Sequence, residues 1–292
     1  MRWFFFKEKT KKMITFLYKP KNITSANFLR KWAKKNQVKK VGHSGTLDPL
    51  ASGLLLVATD DDTKLLQYLD QKTKTYLAKV QFGFWSTSLD AEGTIFPTKK
   101  KIEITKEKLI KALEELEKRE KQIPPLFSSK KIAGKRAYHY ARSGKEIELA
   151  PIAIKISKTD LLNFDFQGQN ATIIWEVSRG CYIRALADDL GKILGTRAYL
   201  KELERTKIAN FGLENQNFLF KVQDLIEFQQ LILDRESLHL LFQGKKINYF
   251  AKDNDSILLI FQDEVVGFGK IINNQLISKK LFGQKIQKLT TN

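Results

Sequence analysis

Apolar positions along this chain switch between strand spacing and helical spacing. Ile14-Thr15-Phe16-Leu17-Tyr18 reads as a strand, and Phe28, Leu29 and Trp32 then share one helical face behind Ser25 as N-cap. The apolar run over 54–58 suits a strand buried on both faces; 63–69 reads as helical and 75–82 as a loosely alternating strand. Over 105–120, Leu109, Leu113 and Leu116 line one side of an otherwise charged helix. Strands are predicted over 152–157, 160–166 and 171–177. The strongest helical pattern follows, with Ile183, Leu186, Ala187, Leu190, Ile193 and Leu194 on one face and Gly195 as its stop.

The last part changes character. Short strands are predicted over 257–261, 264–272 and 275–277, with Asn273-Asn274 as a hairpin turn. The pattern therefore places a larger domain over 13–236 and a small β-rich unit over 237–292. Strands and helices are mixed in the larger part without strict β-α-β alternation, which indicates the α+β class.

Charge adds a partner class to this outline. The 292 residues carry 51 Lys and Arg against 32 Asp and Glu, a net charge of +19, and such a field attracts polyanions. A basic membrane-surface protein is the rival, but no amphipathic basic helix with a strong apolar face stands out. Trp3-Phe4-Phe5-Phe6 is too short for a signal peptide, and nothing reaches the roughly 20 apolar residues of a membrane span, so a cytoplasmic protein is expected. Cys181 is the single cysteine, and His43, His139 and His239 lack ligand spacing, so no disulfide and no metal are implied.

One carboxylate stands apart. Asp48, in Gly42-His43-Ser44-Gly45-Thr46-Leu47-Asp48-Pro49, heads no helical pattern and has no charged neighbours. Two glycines permit unusual backbone angles and Pro49 fixes one dihedral, so the run reads as a rigid loop aiming an acid into a cleft. A tight turn with a solvated Asp is the alternative.

Further motifs decide between the two. Gly42 to Leu55 resembles the catalytic motif of the TruB family, the tRNA pseudouridine(55) synthases. Lys19-Pro20 with Thr24-Ser25, Thr63-Lys64, Lys74-Thr75-Tyr76, and the series Gly83, Ser86, Ser88, Asp90, Gly93 are similar to family signatures in order and spacing. So are Gln122-Ile123-Pro124-Pro125, Ser128, Lys131, Gly134, Tyr138 with Ala141-Arg142-Ser143-Gly144, then Gly180-Cys181-Tyr182-Ile183-Arg184 and Leu203-Glu204-Arg205-Thr206 through Phe211. The chain departs at Asn22 and Ala209, where the family usually has glycine, at Asp60-Asp61-Asp62, at Phe127 and at Glu204. Gly244 and Gly267-Phe268-Gly269 are similar to a shortened PUA-type module, or to any small β-domain.

The resemblance implies a mixed, largely antiparallel catalytic sheet with helices packed around it, and a PUA-like β domain at the carboxy terminus. It implies Asp48 as the catalytic carboxylate, acting as nucleophile or as base at the ribose. Arg184 would keep it charged and oriented, since a guanidinium holds a carboxylate with paired donors. Tyr76 would stack on a flipped-out uracil and help move the proton from C5, Leu203 would line the pocket, and His43 would help hold the flipped RNA. Lys19 and Lys64 suit RNA phosphate contacts or scaffolding alike. The implied partner is the T-arm of tRNA, read by shape, with uridine 55 as target, no cofactor and a monomer as default. A binding-only RNA chaperone and a guide-directed sister enzyme are the competing classes. An intact Asp48 and Arg184 argue against the first, and the short chain without long basic tails argues against the second.

Overall fold

The computed structural model describes residues 14–69, 73–99, 102–128, 131–132, 135–136 and 149–291. Gly134, Tyr138 and the motif 141–144 lie outside them. The larger sheet contains β1 (Ile14–Lys19), β2 (Val41–Ser44), β3 (Ser52–Thr59), β4 (Lys74–Phe82), β5 (Ile156–Asp165), β6 (Asn170–Val177), β7 (Ala198–Ile208) and β8 (Leu219–Phe220). Their order is β5-β6-β4-β7-β3-β1-β8, with β2 also paired to β3. Every pairing is antiparallel except that of β7 with β3, so the predicted mixed, largely antiparallel sheet is present.

Most predicted elements are where the periodicity put them, with instructive shifts. The helix α1 (Ser25–Lys35) is capped by Thr24, whose hydroxyl accepts from Asn27 N at 3.1 Å, and not by Ser25. Ser25 is buried and has another partner, as described below. The helices α2 (Lys106–Glu117) and α3 (Ile183–Ile193) press Leu109, Leu113, Leu116, Leu186 and Leu190 into one core with Trp175 and Val80 of the sheet. The predicted strands 152–157 and 160–166 are one strand, β5, preceded by a two-residue pair at Ile152–Ala153. The predicted helix 63–69 opens as a 3₁₀ turn over Asp60–Leu65.

β3 is buried along its whole length because it has core on both faces: Leu54, Leu56 and Ala58 on one, Leu55 and Val57 against α1 on the other. Three strands of this sheet, β2, β7 and the two-residue β8, are not legible as strands in the sequence. β2 falls within the run expected to form the Asp48 loop, yet it pairs Val41 to Ser44 with Thr59 to Leu56. β7 lies at the sheet's centre, and register shifts at Leu200/Glu202 and Arg205/Lys207 disrupt its alternation.

The second sheet runs β9-β11-β12-β13-β10, from β9 (Gln229–Ile232), β10 (Ile247–Asn248), β11 (Asn254–Phe261), β12 (Glu264–Ile272) and β13 (Gln275–Leu281). Two helices, α4 (Arg235–Phe242) and α5 (Gly283–Thr290), accompany it. Because β9 pairs in parallel with β11, this sheet begins before the expected boundary at 237. Asn273 and Asn274 both have positive φ, as a type I′ hairpin turn requires. The two sheets also share a core, in which Phe16, Leu54 and Leu56 cluster with Leu258, Val265, Phe268 and Phe282. Lys285, fully buried there, bridges Asp62 at 3.5 Å and Glu264 at 2.5 Å, so one of the unusual aspartates at 60–62 ties α5 to the larger sheet.

Three backbone positions carry stability consequences. Gly53 has φ +113, and a Cβ there would lie 2.3 Å from the Arg205 carbonyl oxygen, because β3 and β7 meet in parallel at this point. Asn22 and Ala209, standing where glycine was expected, have φ 64 and φ 51. Asn tolerates that region, whereas Ala is strained in it by roughly 1–2 kcal/mol. Gly53→Ala is expected to lower unfolding free energy by about 3 kcal/mol. Ala209→Gly is expected to raise it by up to about 1 kcal/mol. Urea unfolding monitored by circular dichroism checks both signs.

Candidate active site

The Asp48 loop is fastened from several directions. Ser25 Oγ accepts from Leu47 N at 3.0 Å and donates to Leu47 O at 2.9 Å, and Asn22 N donates to Pro49 O at 2.8 Å. Leu47 and Ala51 belong to the main core, so both flanks of Asp48 are anchored by apolar burial. Gly45 adopts φ 71, the left-handed angle the sequence anticipated. Gly42 does not; it sits in β2, where an added Cβ would approach Leu66 Cδ1 to 3.0 Å, so close packing explains that glycine.

Asp48 faces a cavity of about 380 Å³, within the range small-ligand pockets occupy. Its walls come from the loop 45–48, Lys74 and Tyr76 of β4, Leu203 and Arg205 of β7, Phe127-Ser128, and the turn 179–184 leading into α3. Arg184 is the centre of its polar side. Nε lies 2.9 Å from Asp48 Oδ2 and 3.5 Å from Asp90 Oδ2; one terminal nitrogen donates to Ser88 O at 3.0 Å and the other to Phe127 O at 2.9 Å. The arginine side chain is 6 % exposed, whereas that of Asp48 is 42 % exposed toward the cavity. One cation is thus locked, and the acid it holds remains reachable.

Burial raises the Asp48 pKa above the ordinary carboxylate value; Arg184 opposes that shift, and the nearby Asp90 reinforces it. Tyr76 is also raised by burial, and Arg205 acts against that. Burial pushes the Cys181 thiol up to about 12, so this cavity-wall sulfur stays protonated at neutral pH and is no nucleophile. Lys74, Arg179, Arg184 and Arg205 surround a single cavity carboxylate, a balance suited to a polyanionic substrate. Among the described residues no three or more His, Cys, Asp or Glu side chains gather as metal ligands would, and no helix is long and apolar enough to cross a membrane.

Residues 33–183 match the family model described as TruB family pseudouridylate synthase, N-terminal domain. The chain belongs to that family. Relatives agree over nearly the whole length. The tRNA pseudouridine synthase B of Mesomycoplasma hyopneumoniae is 68% identical over 277 residues, covering 95% of this chain and 85% of that one. The protein of the same name from Mycoplasma mobile is 45% identical, with 95% and 97% covered, and that from Aquifex aeolicus is 34% identical, with 90% and 96% covered. The fold is shared with the Cbf5-Nop10-Gar1 complex structure at TM-score 0.67 and 20% identity, covering 92% of this chain and 84% of that one. As a pseudouridylate synthase, this enzyme rearranges a uridine into its carbon-linked isomer.

Of the residues singled out in the sequence, Asp48, Tyr76, Arg184 and Leu203 converge on the one cavity. Three do not. Lys19 is fully buried, its ammonium donating to Pro20 O at 2.9 Å, Ile23 O at 2.8 Å and Pro49 O at 3.5 Å. Burial lowers its pKa to about 8. It is scaffolding for the loop, and its ammonium has no surface left for a phosphate. Lys64 pairs with Asp61 at 3.4 Å and lies 5.8 Å above the Phe282 ring, at the junction of the two sheets and away from the cavity walls. His43 is half-buried on β2, opposite Val57 and two residues before the cavity's edge.

Sequence reasoning gave no role to two buried side chains beside the cavity. Asp90 accepts from the Ser88 hydroxyl and from Glu92 N while flanking Arg184. Arg205 is wholly buried beside Tyr76. Both stand in motifs already noted, Asp90 in the 83–93 series and Arg205 in 203–206, and that membership was the available signal, since Asp90 lies in a turn and the strand carrying Arg205 has no clear alternation.

A raised native pKa means that the folded chain binds the Asp48 proton more tightly than the unfolded chain, so this group's contribution to stability falls as pH rises through the two values. At neutral pH the ionised acid is therefore a burden on folding. Asp48→Asn is expected to melt at the parental temperature or slightly above it at pH 7, and a melting temperature several degrees lower would contradict the electrostatic description.

Proposed function

We propose that this enzyme converts uridine 55 in the T-loop of tRNAs to pseudouridine with Asp48 as the catalytic carboxylate. The observation that carries the reading is the 2.9 Å pair of Asp48 with a buried Arg184 at the wall of a cavity also lined by Tyr76 and Leu203. The names of the relatives supply the substrate class. A uridine inside a folded loop cannot reach a recessed acid, so the base is flipped into the cavity, where an aromatic face and an apolar side chain receive it.

The reaction needs no net redox change, because bond order is redistributed within one nucleotide. The N1–C1′ bond breaks, the uracil turns, C5 bonds to C1′, and the C5 proton leaves. Attack by a carboxylate on C1′ and removal of a ribose proton both require an ionised Asp48. Arg184 supports the charged form and fixes the direction of one oxygen. Tyr76 packs against the base and takes the C5 proton, while Leu203 keeps water from the reacting atoms. The surrounding cations and the +19 charge favour binding that weakens steeply with salt.

Release of tritium from tRNA transcripts carrying C5-tritiated uridine measures the chemistry. Asp48→Asn is expected to slow release by about 10³-fold or more. The parental rate should fall as pH is lowered through the raised Asp48 pKa, since the neutral acid is inactive. Mapping pseudouridine in tRNA from cells lacking the protein should show uridine at position 55; persistence of pseudouridine there refutes the site assignment.

A further inference from the structure

Tyr76 and Arg205 face each other across the β4–β7 ladder, and both line the cavity. Arg205 has no solvent exposure. Its Nε donates to Leu54 O at 2.7 Å and a terminal nitrogen donates to Gly45 O at 2.9 Å. These two carbonyls stand on either side of Asp48, one where the loop begins and the other where β3 has taken over. Among the described residues no carboxylate pairs with this guanidinium, in contrast to Arg184, which has two. A buried cation compensated only by neutral oxygens favours negative charge on any group it touches. Its cross-strand partner on the cavity side is Tyr76, whose phenol pKa is raised by burial and drawn back by the positive charge of Arg205.

We propose that Arg205 is a positioning residue for the proton step: its guanidinium spans the Asp48 loop and holds the Tyr76 oxygen so that this oxygen can carry negative charge and accept the C5 proton. The inference rests on the reading of Tyr76 as that acceptor. After C5 has bonded to C1′, C5 is tetrahedral and C6 is doubly bonded to N1. The C5–H bond then breaks and its proton forms an O–H bond on the phenolate. The electron pair left behind makes C5=C6, the C6=N1 pair moves onto N1, and N1 takes a proton from water. Arg205 exchanges no proton and does not touch the uracil; it acts through the Tyr76 oxygen, whose charge and place it sets.

A double-mutant cycle separates this role from mere support of the fold, because residues acting through one another lose their effects non-additively. Tritium release is measured in single turnover for Tyr76→Phe, Arg205→Lys and the double variant, with RNA affinity and thermal melting as checks of folding. Tyr76→Phe should slow release by about 10²-fold. Arg205→Lys should slow it by about 30-fold in the parent but by about threefold or less in the Tyr76→Phe background. Arg205→Gln, which removes the charge and keeps a donor, supplies the same cycle if the lysine variant does not fold. In the Gln variant, the pH at which the rate stops rising should move upward by about one unit, since a phenol without its cation ionises later.

Losses that multiply in the double variant, or a Gln variant with the parental pH profile, overturn the role of Arg205 while leaving the reading of Tyr76 intact. A Tyr76→Phe enzyme working at the parental rate removes that reading and this inference together. The Asp48→Asn control still reports separately on the catalytic acid.

Discussion

A buried guanidinium must find oxygen for each of its nitrogens, and at Arg184 that requirement organises the site. The side chain starts from the first turn of α3 and finds its acceptors in three other places: the Asp48 loop, the turn containing Ser88 and Asp90, and the backbone at Phe127. Leaving a desolvated cation with a partner missing costs several kcal/mol, so these segments are held together more firmly than their own sequences require. The acid keeps one face open to the cavity because Asp90 and two carbonyls already share the task of neutralising and solvating the arginine.

A second constraint acts below the first. β3 and β7 run in parallel only at Ser52-Gly53 and Glu204-Arg205, and Gly53 lets the backbones approach more closely than any side chain permits. That contact brings the motif 203–206 under the Asp48 loop, so Leu203 lines the cavity and Arg205 reaches across to Gly45 O. Ser25 and Lys19 fasten the loop from its other side by satisfying its carbonyls and one of its amides. Stiffness at Asp48 is therefore the sum of contacts made by residues that do no chemistry. The second sheet joins the same body through a shared apolar core and through Lys285, whose burial between Asp62 and Glu264 gives the unusual 60–62 acids a structural use.

Periodicity was sufficient wherever one side of an element faces core and the other water. The stripes of α2 and α3 and the alternation of β4 and β6 are of this kind, and their bounds were legible to within a few residues. It failed where tertiary pairing breaks the period. β7 carries two register shifts that turn side chains to the wrong face for a simple alternation, and β2 is four residues with a glycine among them. The N-cap moved by one residue, because Ser25 serves the Asp48 loop and leaves Thr24 to cap the helix. The second sheet takes in residues before 237 because β9, a segment without marked alternation, finds its partner nearly thirty residues later.

The amino-acid sequence by itself determined the class of the fold, the positive field, the stiff glycine and proline loop around Asp48, and the motifs that resemble one enzyme family, since each is a matter of residue type and local spacing. Which charged groups meet is a matter of tertiary structure, and the pairing of Arg184 with Asp48 was readable beforehand only through the family resemblance. Arg184 is 136 positions from Asp48 along the chain, and no local rule connects them; their 2.9 Å contact exists because sheet order and the packing of α3 bring them together. The same holds for Lys19, whose side chain reads as a surface cation until the backbone closes over it, and for Arg205, whose importance lies in the three elements it touches. Burial and long-range pairing are properties of the folded chain, and they turn a basic sequence into a site with one carboxylate held at the wall of a cavity.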